Sequence, residues 1–162
     1  MAHLAGTKNP LVIAHRGASS KAPENTIAAF NLAWDLNSDG IELDIRKTKD
    51  SLFVCSHDNN LNRLSSNKKN ISSMSVSEIK EIDVGSWKSS KFKSERVPLL
   101  SEALSVIPVG KKVFIEIKVA LKELDELISI VKKSKLKIKN CHFLSYVPSN
   151  IIKIKKDFPS FK

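Results

Sequence analysis

Glycine and proline are scarce in this 162-residue chain, five and six respectively, which excludes a collagen-like fibre or a flexible linker. Aromatic side chains make up only 6%, and lysine far outnumbers arginine, so the stacking rings and guanidinium forks of a nucleic-acid surface are thin on the ground. No apolar run approaches the roughly 18 residues that a membrane-spanning helix requires. The first residues, Met1-Ala2-His3-Leu4-Ala5-Gly6, have neither a basic start nor an apolar core, so no secretory signal is expected. Cys55 and Cys141 stand far apart without a CxxC pair, which suits buried thiols and a cytoplasmic address.

What is present is an ordinary globular composition, 41% apolar and 27% charged, enough for one domain with a real core. The net charge of +10 is unevenly placed. Residues 1–60 hold six basic against seven acidic side chains, and residues 61–162 hold 21 against 10. A basic half of this kind faces a phosphate-bearing partner or is a solvated lysine-rich surface. No binding motif accompanies it, so nucleic acid is not the expected partner.

Strands and helices alternate along the chain. Leu11–Ala14 is a short apolar run ending at His15-Arg16-Gly17, as a buried strand does. Asn25 is placed to cap a helix whose Ile27, Phe30 and Trp34 share a face. Gly40–Arg46 and Leu52–Ser56 read as strands, Ser65–Asn70 as a polar surface loop, and Ser75-Val76-Ser77-Glu78 as a capping box. A helix over Leu99–Ile107, a strand over Val113–Ile117 and a helical stripe of Leu121, Leu124, Ile128 and Val131 follow. A strand at Phe143–Tyr146 and a basic helix at Ser149–Lys156 close the series. Such alternation predicts βαβ units and a parallel sheet.

Four clusters fall at the C-terminal ends of these strands, where α/β folds place their chemistry. They are His15-Arg16-Gly17-Ala18, Glu42-Leu43-Asp44, His57-Asp58 and Glu116-Ile117-Lys118. Glu42 and Asp44 are two apart, so both side chains project from one face with α-carbons about 6.6 Å apart. Two acids on one face of an apolar strand are costly unless something positive lies between them. Glu116 offers a third oxygen ligand, and an all-oxygen set favours Mg²⁺ or Ca²⁺ over Zn²⁺. An exposed edge strand is the plainer alternative, but Ile41, Leu43 and Ile45 fill the opposite face as a core strand does. Imidazoles at His15 and His57 suit acid–base work on a phosphodiester near neutral pH. His3 and His142 lack that context and read as structural. Three carboxylates, a divalent ion, a phosphodiester, Arg16 and Lys118 together sum to zero charge, the balance a desolvated site favours.

In order and spacing these clusters, with Pro23-Glu24-Asn25-Thr26 and Val97-Pro98-Leu99, resemble the signature series of the glycerophosphodiester phosphodiesterase family. The resemblance implies a (β/α)₈ TIM-barrel fold over residues 10–162, with a small insertion at about 59–98. It implies hydrolysis of a small-molecule glycerophosphodiester to glycerol 3-phosphate and an alcohol. His15 and His57 would be the acid–base pair, Glu42, Asp44 and Glu116 the metal ligands, and Arg16 and Lys118 the phosphate contacts. Glu24 and Asn25 match the family's Glu-Asn-Thr motif and read as the start of a helix behind the site. Asp58 would orient its loop, and Trp87 would be substrate wall or core. A complete barrel needs roughly 200 residues, so the C-terminal strands are expected to be missing. That leaves an open sheet edge which a homodimer could pair. An impaired fragment that binds phosphate or a partner without turnover is the alternative. Related enzymes on this barrel act on lysophospholipids, so the diester's head group stays open, as does which histidine is acid and which base.

Overall fold

The computed structural model describes residues 10–120 and 124–161. In chain order come β1 (Ile13–His15), α1 (Ile27–Asp35), β2 (Gly40–Lys47), β3 (Phe53–Cys55), β4 (Asn60–Leu61), α2 (Asn62–Ser65) and β5 (Asn67–Asn70). Then follow α3 (Val76–Lys80), α4 (Leu100–Ser105), β6 (Lys112–Ile117), α5 (Asp125–Lys133), β7 (Cys141–Leu144) and α6 (Pro148–Asp157). Short 3₁₀ turns lie at Ile71–Ser73, Ser90–Phe92 and Ile138–Asn140.

Alternation along β2 organises the molecule. Ile41, Leu43 and Ile45 are buried on one face, and Glu42 and Asp44 are buried on the other. The apolar face, continued by Ile115 and Ile117 of β6 and Phe143 of β7, packs under Phe30 of α1, Leu104 of α4, Leu127 of α5 and Ile154 of α6. Each such side chain contributes about 1.5–3 kcal/mol by leaving water. Thr26 caps α1 by accepting from the Ala29 N–H, which displaces the expected cap, Asn25, by one residue. Ser75 and Glu78 form the expected capping box at α3. Elsewhere the strand and helix ends fall within about two residues of the sequence reading, the usual fraying of element boundaries. Leu121 and His3 lie outside the described residues.

The register of the sheet decides where chemistry can occur. β1 pairs parallel with the first half of β2, matching His15 to Glu42. β6 pairs parallel along the other edge, matching Asp44 to Glu116, and β7 lies beyond β6. β3 pairs antiparallel with the second half of β2, Cys55 opposite Ile45. Ile45 also pairs with Ile117 of β6, so β3 must occupy the edge that β1 leaves free. β1 climbs that edge and β3 descends it. Their ends meet at the level of Glu42 and Asp44.

Residues 60–97, with Val54 of β3, build a second, smaller core from Val54, Leu61, Ile71, Met74, Ile79, Val84 and Val97. Within it the polar stretch expected as a loop is instead partly a strand. Asn67–Asn70 pairs with Asn60–Leu61, because backbone pairing needs no run of apolar side chains, and Leu61 anchors the hairpin in the core. Trp87 is 43% exposed and its indole N–H donates to the Val84 carbonyl, so it is not a core residue.

Candidate active site

The first turn of the site is built on left-handed backbone. Arg16 has φ 57° and Gly17 has φ 75°. A Cβ on Gly17 would come within 2.7 Å of the Ala29 backbone, so glycine is required for α1 to pack this closely. For Arg16 the same conformation costs on the order of 1 kcal/mol or more, and strain of that kind collects where function needs it. It is held by the Arg16 N–H, which donates to Glu42 Oε2 at 3.0 Å. The turn carries His15 Nε2 to 3.8 Å from the same oxygen, with the His15 side chain 70% exposed.

Glu42, Asp44 and Glu116 each offer a carboxylate oxygen, and these oxygens lie within 4.8 Å of one another. Asp44 is fully buried and Glu42 nearly so. Glu42 Oε1 is buried without a hydrogen-bond partner. Burial, then repulsion from Asp44 and Glu116, pushes the Glu42 carboxyl up to about 7 against the pull of the Arg16 N–H. An unpartnered acid oxygen in a buried trio of hard ligands fits a divalent cation. No ion needs to be invoked to explain Asp44's other contacts, since Arg16 Nε lies 3.3 Å from Oδ2 and Lys118 Nζ 3.1 Å from Oδ1.

Lys118, expected to contact phosphate, places its ammonium between Asp44 and Glu116, 3.1 Å from the former and 2.8 Å from the latter. Burial opposes its charge, and the two carboxylates outweigh that and raise its pKa. It lines an open cleft together with Arg46, His57, Asp58 and Asn60, so it faces the second histidine across the site. His57 Nδ1 lies 2.8 Å from Asp58 Oδ1. The seven residues singled out from sequence thus converge on one end of the sheet: His15, Arg16, Glu42, Asp44, His57, Glu116 and Lys118.

Four further side chains belong to this constellation. Asn25 was read as a helix cap, but with its own φ at 55° it turns its amide onto Asp44. Glu24 accepts from Arg16 Nη1 at 2.9 Å and is paired again by Arg63. Arg46 donates twice to the His57 carbonyl, at 2.9 and 2.7 Å. Period-two counting from Glu42 and Asp44 would have put Arg46 on their face, whereas no spacing rule points to Arg63. His142 stacks on Phe114 with ring centroids 4.5 Å apart and stands outside the carboxylate cluster, as a structural reading implied.

Comparison with known proteins follows the geometry. The chain matches the profile described as "Glycerophosphoryl diester phosphodiesterase family" over residues 15–148. A glycerophosphodiester phosphodiesterase of Caldanaerobacter subterraneus subsp. tengcongensis is 46% identical over 111 residues, covering 67% of this chain and 45% of that one. The crystal structure of a glycerophosphodiester phosphodiesterase from Agrobacterium tumefaciens superposes with a TM-score of 0.84 at 30% identity, over 94% of this chain and 64% of that one. An Oleispira antarctica phosphodiesterase, solved in complex with the product sn-glycerol-3-phosphate, gives 0.82 at 29% identity, over 94% and 64%. The fold is the (β/α)₈ barrel type of these enzymes, over the part this chain spans. The chain spans under half the length of the curated relatives it matches.

Proposed function

This chain belongs to the glycerophosphoryl diester phosphodiesterase family, and from that premise we propose that its site hydrolyses a glycerophosphodiester to glycerol 3-phosphate and an alcohol. One observation carries the reading: carboxylate oxygens of Glu42, Asp44 and Glu116 lie within 4.8 Å of one another, with His15 beside Glu42 and His57 in the cleft that Lys118 lines. The product held by the Oleispira relative supports the substrate class. Residues 10–162 form the domain in this reading, with 59–98 as its insertion. Two free, buried cysteines support a cytoplasmic location. Among the described residues no helix is long and apolar enough to cross a membrane.

Glu42, Asp44 and Glu116 would hold the divalent cation, Mg²⁺ or Ca²⁺. When bound, such an ion supplies positive charge against the charge that grows on the phosphoryl oxygens. The chain's own residues do the rest. The Arg16 guanidinium and the Lys118 ammonium stand beside the carboxylates and bind the phosphodiester anion. A nucleophilic oxygen, from water or a substrate hydroxyl, forms a bond to phosphorus as the bond to the alcohol oxygen breaks. One imidazole of the His15–His57 pair takes the nucleophile's proton, and the other gives its proton to the departing alkoxide.

The test is release of glycerol 3-phosphate from glycerophosphocholine in Mg²⁺ or Ca²⁺. Activity should vanish with EDTA and in His15→Ala and His57→Ala. Turnover that survives chelation, or survives loss of either histidine, overturns the mechanism. A higher kcat/KM on lysophosphatidylcholine would move the substrate to the lipid class without moving the site.

A further inference from the structure

Arg63 lies in α2, outside every motif that points to the site, yet it spends its whole guanidinium there. Nη1 and Nη2 each lie 2.8 Å from Glu24, one on either carboxylate oxygen. Nε lies 2.9 Å from Asp58 Oδ2, and the other oxygen of Asp58 faces His57 Nδ1 at 2.8 Å. Glu24 in turn holds Arg16, whose Nε reaches Asp44. A single cation therefore joins the loop after β1, bearing His15 and Arg16, to the loop after β3, bearing His57.

The chemistry of the chain of contacts is directional. Burial would raise the Asp58 carboxyl, but its hydrogen bonds from His57 and Arg63 outweigh that and hold it below the usual range. An ionised carboxylate only accepts, so Nδ1 of His57 must carry the proton and Nε2 is left to exchange one with substrate. A guanidinium fork can serve Glu24 and Asp58 at once, and the point charge of a lysine cannot.

We propose that Arg63 is a positioning residue that acts through Asp58 to fix the ring and tautomer of His57, and through Glu24 to hold Arg16 against Asp44. Its consequence for turnover rests on the phosphodiesterase reading, whereas the effect on the His57 ring does not. The Arg63 side chain is 45% exposed, and ion pairs in that setting add little to stability. Its loss should therefore cost activity far more than it costs folding.

Two measurements on the full chain decide the matter. Steady-state kinetics on glycerophosphocholine should show kcat lower by on the order of 10²-fold in Arg63→Met, a larger change than any rise in KM from the loosened Arg16. Arg63→Lys should not restore it. Asp58→Asn should lose a similar or smaller factor, and the double variant should be no worse than Arg63→Met alone, because Asp58 acts only on the ring that Arg63 steadies through it. Nitrogen-15 NMR of the imidazoles should find the neutral His57 protonated on Nδ1 in the unaltered chain and no longer held so in Arg63→Met or Asp58→Asn. If Arg63→Met does not fold, Arg63→Lys and Asp58→Asn carry the same comparison. A rise in KM alone, additive losses in the double variant, or an unchanged His57 tautomer overturns the proposal. Absence of turnover in the unaltered chain defeats the phosphodiesterase reading, and the NMR comparison still decides the role of Arg63.

Discussion

Asn25 and Asp44 exchange two hydrogen bonds: Asn25 Nδ2 donates to Asp44 Oδ2 at 2.8 Å, and the Asp44 N–H donates to Asn25 Oδ1 at 3.2 Å. A side-chain amide thus stands in for a neighbouring strand, where β1 has ended and β3 has not yet begun. Asparagine suits the task because it tolerates the left-handed backbone at this position better than most residues.

Asn25→Ala should therefore destabilise the fold by about 1–3 kcal/mol, since it takes a hydrogen bond from a buried carboxylate and leaves a buried N–H without its partner. For a chain of this size each kcal/mol lowers the melting temperature by about 2–4 °C. Urea denaturation measures the difference directly, and an unchanged midpoint would show that water replaces the amide at no cost.

Neutralising the carboxylate trio should have effects of opposite sign on the metal-free and metal-bound protein. Glu42→Gln removes a charge that repels Asp44 and Glu116 while leaving an oxygen for the Arg16 N–H. Without metal, its melting temperature should rise. Calorimetric titration with Mg²⁺ or Ca²⁺ should show affinity lower by roughly tenfold or more, because binding follows the count of charged ligands. Equal affinity in the variant would place the cation elsewhere.

Acid should loosen the two-loop junction before it unfolds the sheet. Burial alone would raise Glu24, but Arg63 and Arg16 outweigh it and hold its folded pKa below 4.5. A carboxyl depressed on folding adds stability at pH values above its unfolded value, and that stability is lost as pH falls through the lower folded value. The melting temperature should accordingly drop below about pH 4.5, and Glu24→Gln should flatten that drop. Identical acid profiles for the two proteins would refute the assignment.

The thiols should be silent. Burial pushes Cys141 up to about 12. Burial, followed by the nearby charges of Asp44 and Glu102, drives Cys55 upward as well. Ellman's reagent at pH 8 should find no reactive thiol in the native chain and both after unfolding in guanidinium. A fast-reacting native cysteine would contradict the burial of Cys55 on β3 or of Cys141 on β7.

Much of this was legible because strands obey a simple count. The period of two that buries Ile41, Leu43 and Ile45 also throws Glu42 and Asp44 to the other side, so the β2 half of the carboxylate cluster is legible once β2 is read as a core strand. The same count reaches Arg46, although the spacing alone does not show that its guanidinium holds the His57 carbonyl. Glu24 and Asn25 are visible as a motif that leads into α1, as they do, but their contacts with Arg16 and Asp44 are not. A helix start and a site loop share the same residues there, and only the left-handed turn at Asn25 separates them. Arg63 was out of reach, since its partners lie 39 and 5 residues away along the chain and on two different loops. Which face of α2 meets them is settled by the small core under residues 60–97 and not by any local pattern.

The pairing of β2 on both edges has a mutational consequence. Sliding that strand by one residue would trade its acids and arginine for isoleucine and leucine in a single step, and would drive carboxylates into the oil beneath the helices. The candidate site and the hydrophobic interior therefore share one alternating pattern, and a one-residue insertion or deletion within β2 would cost both together.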